Sequence, residues 1–141
     1  PISAAPAPVR STPSSRYNPM AHFIYEYSAN LPRELLDMPA LMEKMHAAAS
    51  ASGLFPLDGL RSRAIRCEEF RVGDGNPDNG FVNLSMRVGQ GRDIDTRLAV
   101  GRQLFDILVD HLQPLLARRG LAISFEMREL EAQLKFNYKN L

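Results

Sequence analysis

Fourteen residues of this chain are arginine and only three are lysine. Arginine presents a planar fork of donors that grips a carboxylate at two points, where lysine offers a single point charge. A GC-rich coding sequence also enriches arginine, so the excess gains chemical meaning only at particular positions. Two such positions stand at the ends of elements. Arg61 follows the turn FPLDG at 55–59, with Arg63 two residues on, and Arg92 follows GQG at 89–91 just before a helix. Each admits a plain alternative: Arg61 as a solvated loop residue, Arg92 as an ion-pair partner of Asp93 or Asp95. Other chemistries find less support. His22, His46 and His111 fall in separate elements and make no metal set. Cys67 reads as a small buried apolar residue. GQGR lacks the length and the lysine of a phosphate loop.

The elements that must position these residues follow from periodicity. HFIYEYS at 22–28 alternates, with Phe23, Tyr25 and Tyr27 on one face and His22, Ile24 and Glu26 on the other, as in a strand. Asp37 is the expected N-cap of a helix with Pro39 in its first turn. Leu41, Met42, Met45, Ala48 and Ala49 recur at helical spacing, and Gly53 is the expected stop. Residues 62–71 read as a second strand, GDGNPDNG at 73–80 as a loop, and FVNLSMRV at 81–88 as a third strand. A long helix is expected from Asp93, its stripe formed by Ile94, Leu98, Gly101, Phe105, Leu108, Leu112 and Leu115. Pro114 should kink or tighten it, and Gly120 should end it. LAISFEM at 121–127 is the fourth strand, followed by a tail with room for one more edge strand.

This order is a β-α-β unit followed by another, and crossovers of this length join parallel strands. The economical fold is an α/β (α+β sandwich) subunit, β-α-β-β-α-β, with a four-stranded mixed sheet and two helices on one face. Phe23, Tyr25, Val82, Leu84, Ile123 and Phe125 are too apolar for both sheet faces to be wet, so oligomerisation is the expected cover.

Composition bounds the rest. At 141 residues and 45% apolar content, one domain with a real core is expected. A net charge of +1 argues against nucleic acid as a partner. No apolar run approaches the roughly 18 residues of a membrane helix, and residues 1–20 lack a signal-peptide core. A single cysteine fits a reducing, cytoplasmic setting. Five of the ten prolines lie in residues 1–20, predicting an extended N-terminal arm that docks along a subunit surface, ahead of a domain at 21–141.

Four blocks carry a resemblance: HFIYEYSANL at 22–31, SGLFPLDGLRSR at 52–63, FVNLSMRVGQGRDIDTR at 81–97 and LAISFEMRELEAQLKFNYKN at 121–140. In order and spacing they resemble the bacterial 5-carboxymethyl-2-hydroxymuconate isomerase family, within the tautomerase superfamily. The resemblance implies a homotrimer and a cofactor-free, metal-free keto-enol isomerisation of an unsaturated 2-hydroxy or 2-keto di- or tricarboxylic acid in homoprotocatechuate catabolism. It implies substrate binding by Arg61, in Gly59-Leu60-Arg61-Ser62-Arg63, and by Arg92, after Gly89-Gln90-Gly91. It implies a terminal proline amine as the base.

That base must be unprotonated near neutral pH, which a terminal amine next to positive charge can be and an amide cannot. Here the matching position is Ala21, preceded by Met20. Three readings follow. Translation from Met20 would leave Ala21 with a primary amine, whose unperturbed pKa is about 7.7–8.0. In the longer form Pro1 is the terminal amine, and twenty residues reach up to about 66–72 Å. In the third, the chemistry is lost and the chain is a trimer that binds an anionic metabolite or a protein partner.

Overall fold

A computed structural model describes residues 20–141. The expected arm before Met20, with Pro1, lies outside the described residues. The elements are β1 (Ala21–Ser28), α1 (Arg33–Leu36), α2 (Met38–Ala51), β2 (Leu60–Cys67), β3 (Asn79–Gly89), α3 (Ile94–His111), α4 (Gln113–Leu116) and β4 (Gly120–Leu130). The sheet order is β2-β1-β3-β4. The β1/β2 and β3/β4 pairs are parallel and the central β1/β3 pair is antiparallel, so the two β-α-β units lie side by side in one mixed sheet.

Local signals set the helix ends. Asp37 takes a left-handed backbone (φ 42°) where α1 stops, and its carboxylate accepts from the Ala40 amide at 3.4 Å to cap α2. Gly53, at φ +80°, follows the end of α2. Asp93 caps α3 by accepting from the Thr96 amide at 2.8 Å. Pro114 does more than kink α3. The helix ends at His111, and Pro114 falls in the first turn of the separate α4, where its missing N–H is harmless. Gly120 opens β4 instead of ending a helix, because α4 has already stopped at Leu116. The second strand runs over 60–67 rather than 62–71, so Arg61 stands in a strand, not in a turn. The tail after Leu130 forms a short 3-10 turn (Ala132–Leu134) and no strand.

The faces of the sheet differ from the sequence expectation. Register aligns Tyr25 with Leu84, Leu84 with Phe125 and Val82 with Ile123. The six apolar residues expected to need an oligomeric cover are therefore in phase on one face, which α2 and α3 already cover. Phe23, Tyr25, Val82 and Leu84 are fully buried there, and Ile123 and Phe125 on the edge strand are partly so. The opposite face carries His22, Glu26, Arg61, Arg63, Asn83, Ser85 and Arg87, and it is mostly polar, with Ile24 and Ile65 set among them.

The α3 stripe is also displaced. Leu108, Leu112 and Leu115 enter the core, joined by Val100 and Leu104. Ile94 and Leu98 stay exposed at 63% and 61%. They line an apolar groove with Gly101, Phe105, Ile123, Phe125 and Met127, between α3 and the edge strand β4. No helix among the described residues is long and apolar enough to cross a membrane.

Candidate functional site

The start of β1, the start of β2 and the end of β3 meet at one end of the sheet. Ala21 pairs with Leu60 on one side and Val88 on the other, and Gly89 donates its amide to the Met20 carbonyl at 3.3 Å. Ala21 is fully buried. With Met20 attached, its nitrogen is an amide and has no basicity.

Arg92 reaches this end from the loop before α3. Gly91 turns the chain at φ +125°, a conformation that side chains rarely adopt. The guanidinium then closes on main chain. Nη1 donates to the Gly89 carbonyl at 3.0 Å and Nη2 to the Leu54 carbonyl at 2.8 Å. The group lies 4.4 Å from the centroid of the Phe55 ring and is 4% exposed. It pairs with carbonyls, where an ion pair to Asp93 or Asp95 was the sequence alternative. Gly89 thereby links the two features, with its N–H on Met20 and its carbonyl on Arg92.

The loop that carries Arg92 is fixed from β4. Glu129 accepts from the Gly91 amide at 3.3 Å and pairs with Arg97 at 3.6 Å. Arg97 Nε in turn donates to the Arg92 carbonyl at 3.1 Å. The Thr96 backbone amide holds the capping carboxylate of Asp93 below its ordinary pKa.

Arg61 stands on the open face, directly opposite His22 in the β1/β2 register. His22 has Arg87 opposite it on its other side. Arg63 Nη1 lies 3.1 Å from His22 Nδ1. A guanidinium only donates, so Nδ1 accepts and the ring hydrogen sits on Nε2. Burial, then Arg63, Arg61, Arg87 and Lys135, lower the His22 pKa and keep the ring neutral near pH 7. Burial and Arg61 lower the Lys135 pKa likewise. Arg61 and Arg92 are thus brought to the same end of the sheet. Arg61 belongs to the open face, and Arg92 is tied to the loop that follows α2.

The 5-carboxymethyl-2-hydroxymuconate isomerase family model matches residues 21–141. This chain belongs to that family. It is 38% identical over 122 residues to the 5-carboxymethyl-2-hydroxymuconate Delta-isomerase of Escherichia coli, a match covering 86% of this chain and 96% of that one. A crystal structure of a 5-carboxymethyl-2-hydroxymuconate isomerase from Deinococcus radiodurans R1 superposes with a TM-score of 0.83 at 32% identity, covering 89% of this chain and 93% of that one. The macrophage migration inhibitory factor-like protein of Entamoeba histolytica, at 13% identity and a TM-score of 0.57 over 85% of this chain and 96% of that one, shares the fold alone.

Within this isomerase-family chain, His46 and His111 serve structure. His46 Nε2 meets Ser62 Oγ at 2.7 Å, and its ring lies 5.7 Å from that of Phe23. His111 accepts from Lys44 at 2.8 Å and donates to the Leu36 carbonyl at 2.9 Å, tying α3 to the α1–α2 corner. Sequence reasoning found no metal set that includes His22, named Arg63 only as lying near Arg61, and did not single out Arg87 or Lys135. The alternation of β1 and β3 held part of the signal. Bringing the four together also needs the β2-β1-β3 order, which no local pattern supplies.

Proposed function

We propose that this chain is a cofactor-independent isomerase that shifts a proton along an unsaturated 2-hydroxy or 2-keto di- or tricarboxylic acid, in the manner of its family. What supports the reading is that the Met20–Ala21 bond, Arg61 on the open face and Arg92 on the side of the loop after α2 lie at one end of the sheet, within a chain of that family. Arg61 holds a substrate carboxylate from the open face. Arg92 supplies fixed positive charge that favours negative charge on the substrate oxygen as the proton moves.

The base in this proposal is the amine of Ala21, present when the chain begins there. The positive charge of Arg61 and Arg92 lowers its pKa from about 7.7–8.0 toward neutrality. A homotrimer in a reducing, cytoplasmic setting belongs to the same proposal. The apolar groove between α3 and β4 supports assembly, as does a tail that exposes Phe136 and Tyr138 at 87% and 98%.

The second reading is a homologue of impaired activity that binds an anionic metabolite or a protein partner. The buried amide at Ala21 favours it for any form in which residue 20 remains attached. Ketonisation of a dienol diacid, followed spectroscopically, separates the two. Turnover by a chain that begins at Met20, lowered at least about tenfold by Arg61→Ala through loss of a charged contact, supports the enzyme. Silence of both that chain and the full-length chain toward several enol acids sinks it.

A further inference from the structure

The C-terminal segment is packed inside out. Residues 131–141 expose Leu134 (72%), Phe136 (87%), Tyr138 (98%) and Leu141 (78%). Among the described residues of this segment, only Lys135 is partly buried. An ammonium is strongly hydrated, and a lysine at a free edge keeps its head in water. Here the segment is pinned on both sides of Lys135. The Ala132 amide donates to Gln90 Oε1 at 3.1 Å, and Lys139 Nζ donates to the Asp58 carbonyl at 3.2 Å beside its carboxylate at 3.4 Å. The segment therefore runs past the end of the sheet where β1 and β2 begin, and the Lys135 charge between the two pins is near enough to act on His22 and to feel Arg61.

The charges that act on His22 all have one sign, while Glu26, the acid on the same face of β1, lies further along the strand against Ile65 and Asn83. Those acting on His22 are Arg61 and Arg63 from β2, Arg87 from β3 and Lys135 from the tail. Acids on neighbouring elements are engaged elsewhere: Asp58 with Lys139, Glu126 with Arg128 and Glu129 with Arg97. Gathering cations raises the energy of the empty site, and an anion with more than one charge relieves it. The neutral His22 fits the same ligand, because its Nε2–H is a donor on the open face.

We propose that Lys135 and His22 form a handle for a second carboxylate beside the one held by Arg61, making this chain select polycarboxylates over monocarboxylates. The inference rests on the reading of this end of the sheet as the substrate site, and it assigns Lys135 a specificity-determining role.

The test is calorimetric titration of the full chain with two unreactive six-carbon acids, adipate and hexanoate. The expected result is a preference for adipate that falls about five- to tenfold in Lys135→Met, the size of one partly solvent-screened charged contact, and that Lys135→Arg largely restores. An unchanged preference in Lys135→Met overturns the proposal. So does an equal fall in Lys44→Met, which removes the same charge from α2, and so does failure of the unaltered chain to bind either acid. Neither probe reacts, so the outcomes separate. Absent ketonisation with the preference intact ends the isomerase reading alone. Normal ketonisation with no Lys135 effect ends this one alone.

Discussion

Replacing Arg92 with alanine removes a side chain that joins three parts of the molecule. Its guanidinium holds the Gly89 carbonyl at the end of β3, the Leu54 carbonyl after α2, and the face of Phe55 at 4.4 Å. Hydrogen bonds from a charged donor contribute about 1.5–3 kcal/mol each, and stacking on an aromatic ring about 0.5–2 kcal/mol. These contributions do not simply add, and the alanine variant also leaves two carbonyl acceptors without this donor. A loss of about 3–5 kcal/mol follows. For a domain of this size, one kcal/mol moves the melting temperature by about 4 °C, so Tm should fall by about 12–20 °C. Arg92→Lys keeps the charge but reaches one carbonyl and cannot stack, so it should lose about half as much. Thermal unfolding followed by circular dichroism reads both. A fall of less than about 4 °C in Arg92→Ala, or a lysine variant as stable as the parent, would refute the view that a planar fork fastens this corner.

Two further outcomes follow from the fold. Burial lowers the His46 pKa below 6.5 in the folded chain. As pH falls, the unfolded chain therefore binds a proton first. The stability His46 contributes is complete above about pH 6.5 and is lost as pH falls toward the depressed folded value, and the same sign holds for His22. Melting temperatures measured from pH 7.5 to 5 should decline less steeply in His46→Gln; an equal slope would show that the ring's titration is not coupled to folding. Light scattering should give three times the 15.8 kDa chain mass for the proposed trimer, and a monomer mass would contradict it.

The alternation of Phe23, Tyr25 and Tyr27 against His22 and Glu26 was legible because a strand's two faces meet different solvents. The same signal could not say that the apolar faces of β1, β3 and β4 are in phase. That depends on register, and it turned an expected oligomer-facing surface into the floor beneath α2 and α3. In α3, Ile94 and Leu98 share a helical stripe with Phe105, yet the core takes Val100 and Leu104 instead. A helix packed near a sheet edge has one flank that no strand covers. Arg92 stood out in the sequence from its place before a helix, but its partners did not, since main-chain carbonyls at residues 54 and 89 leave no trace in side-chain identity. The cluster around His22 was least legible, for it assembles from three strands and a tail that are far apart in the chain.

The central claim is that this end of the sheet is a competent tautomerase pocket whose proton carrier sits at position 21. Turnover of a dienol diacid, compared between a chain beginning at Met20 and its Ala21→Pro variant, tests it most directly. Measurable activity is expected in the first, and at least a roughly tenfold gain in the second from a secondary amine better suited to general-base work. No activity in either, with the N-terminal residue verified by mass spectrometry as residue 21, would contradict it.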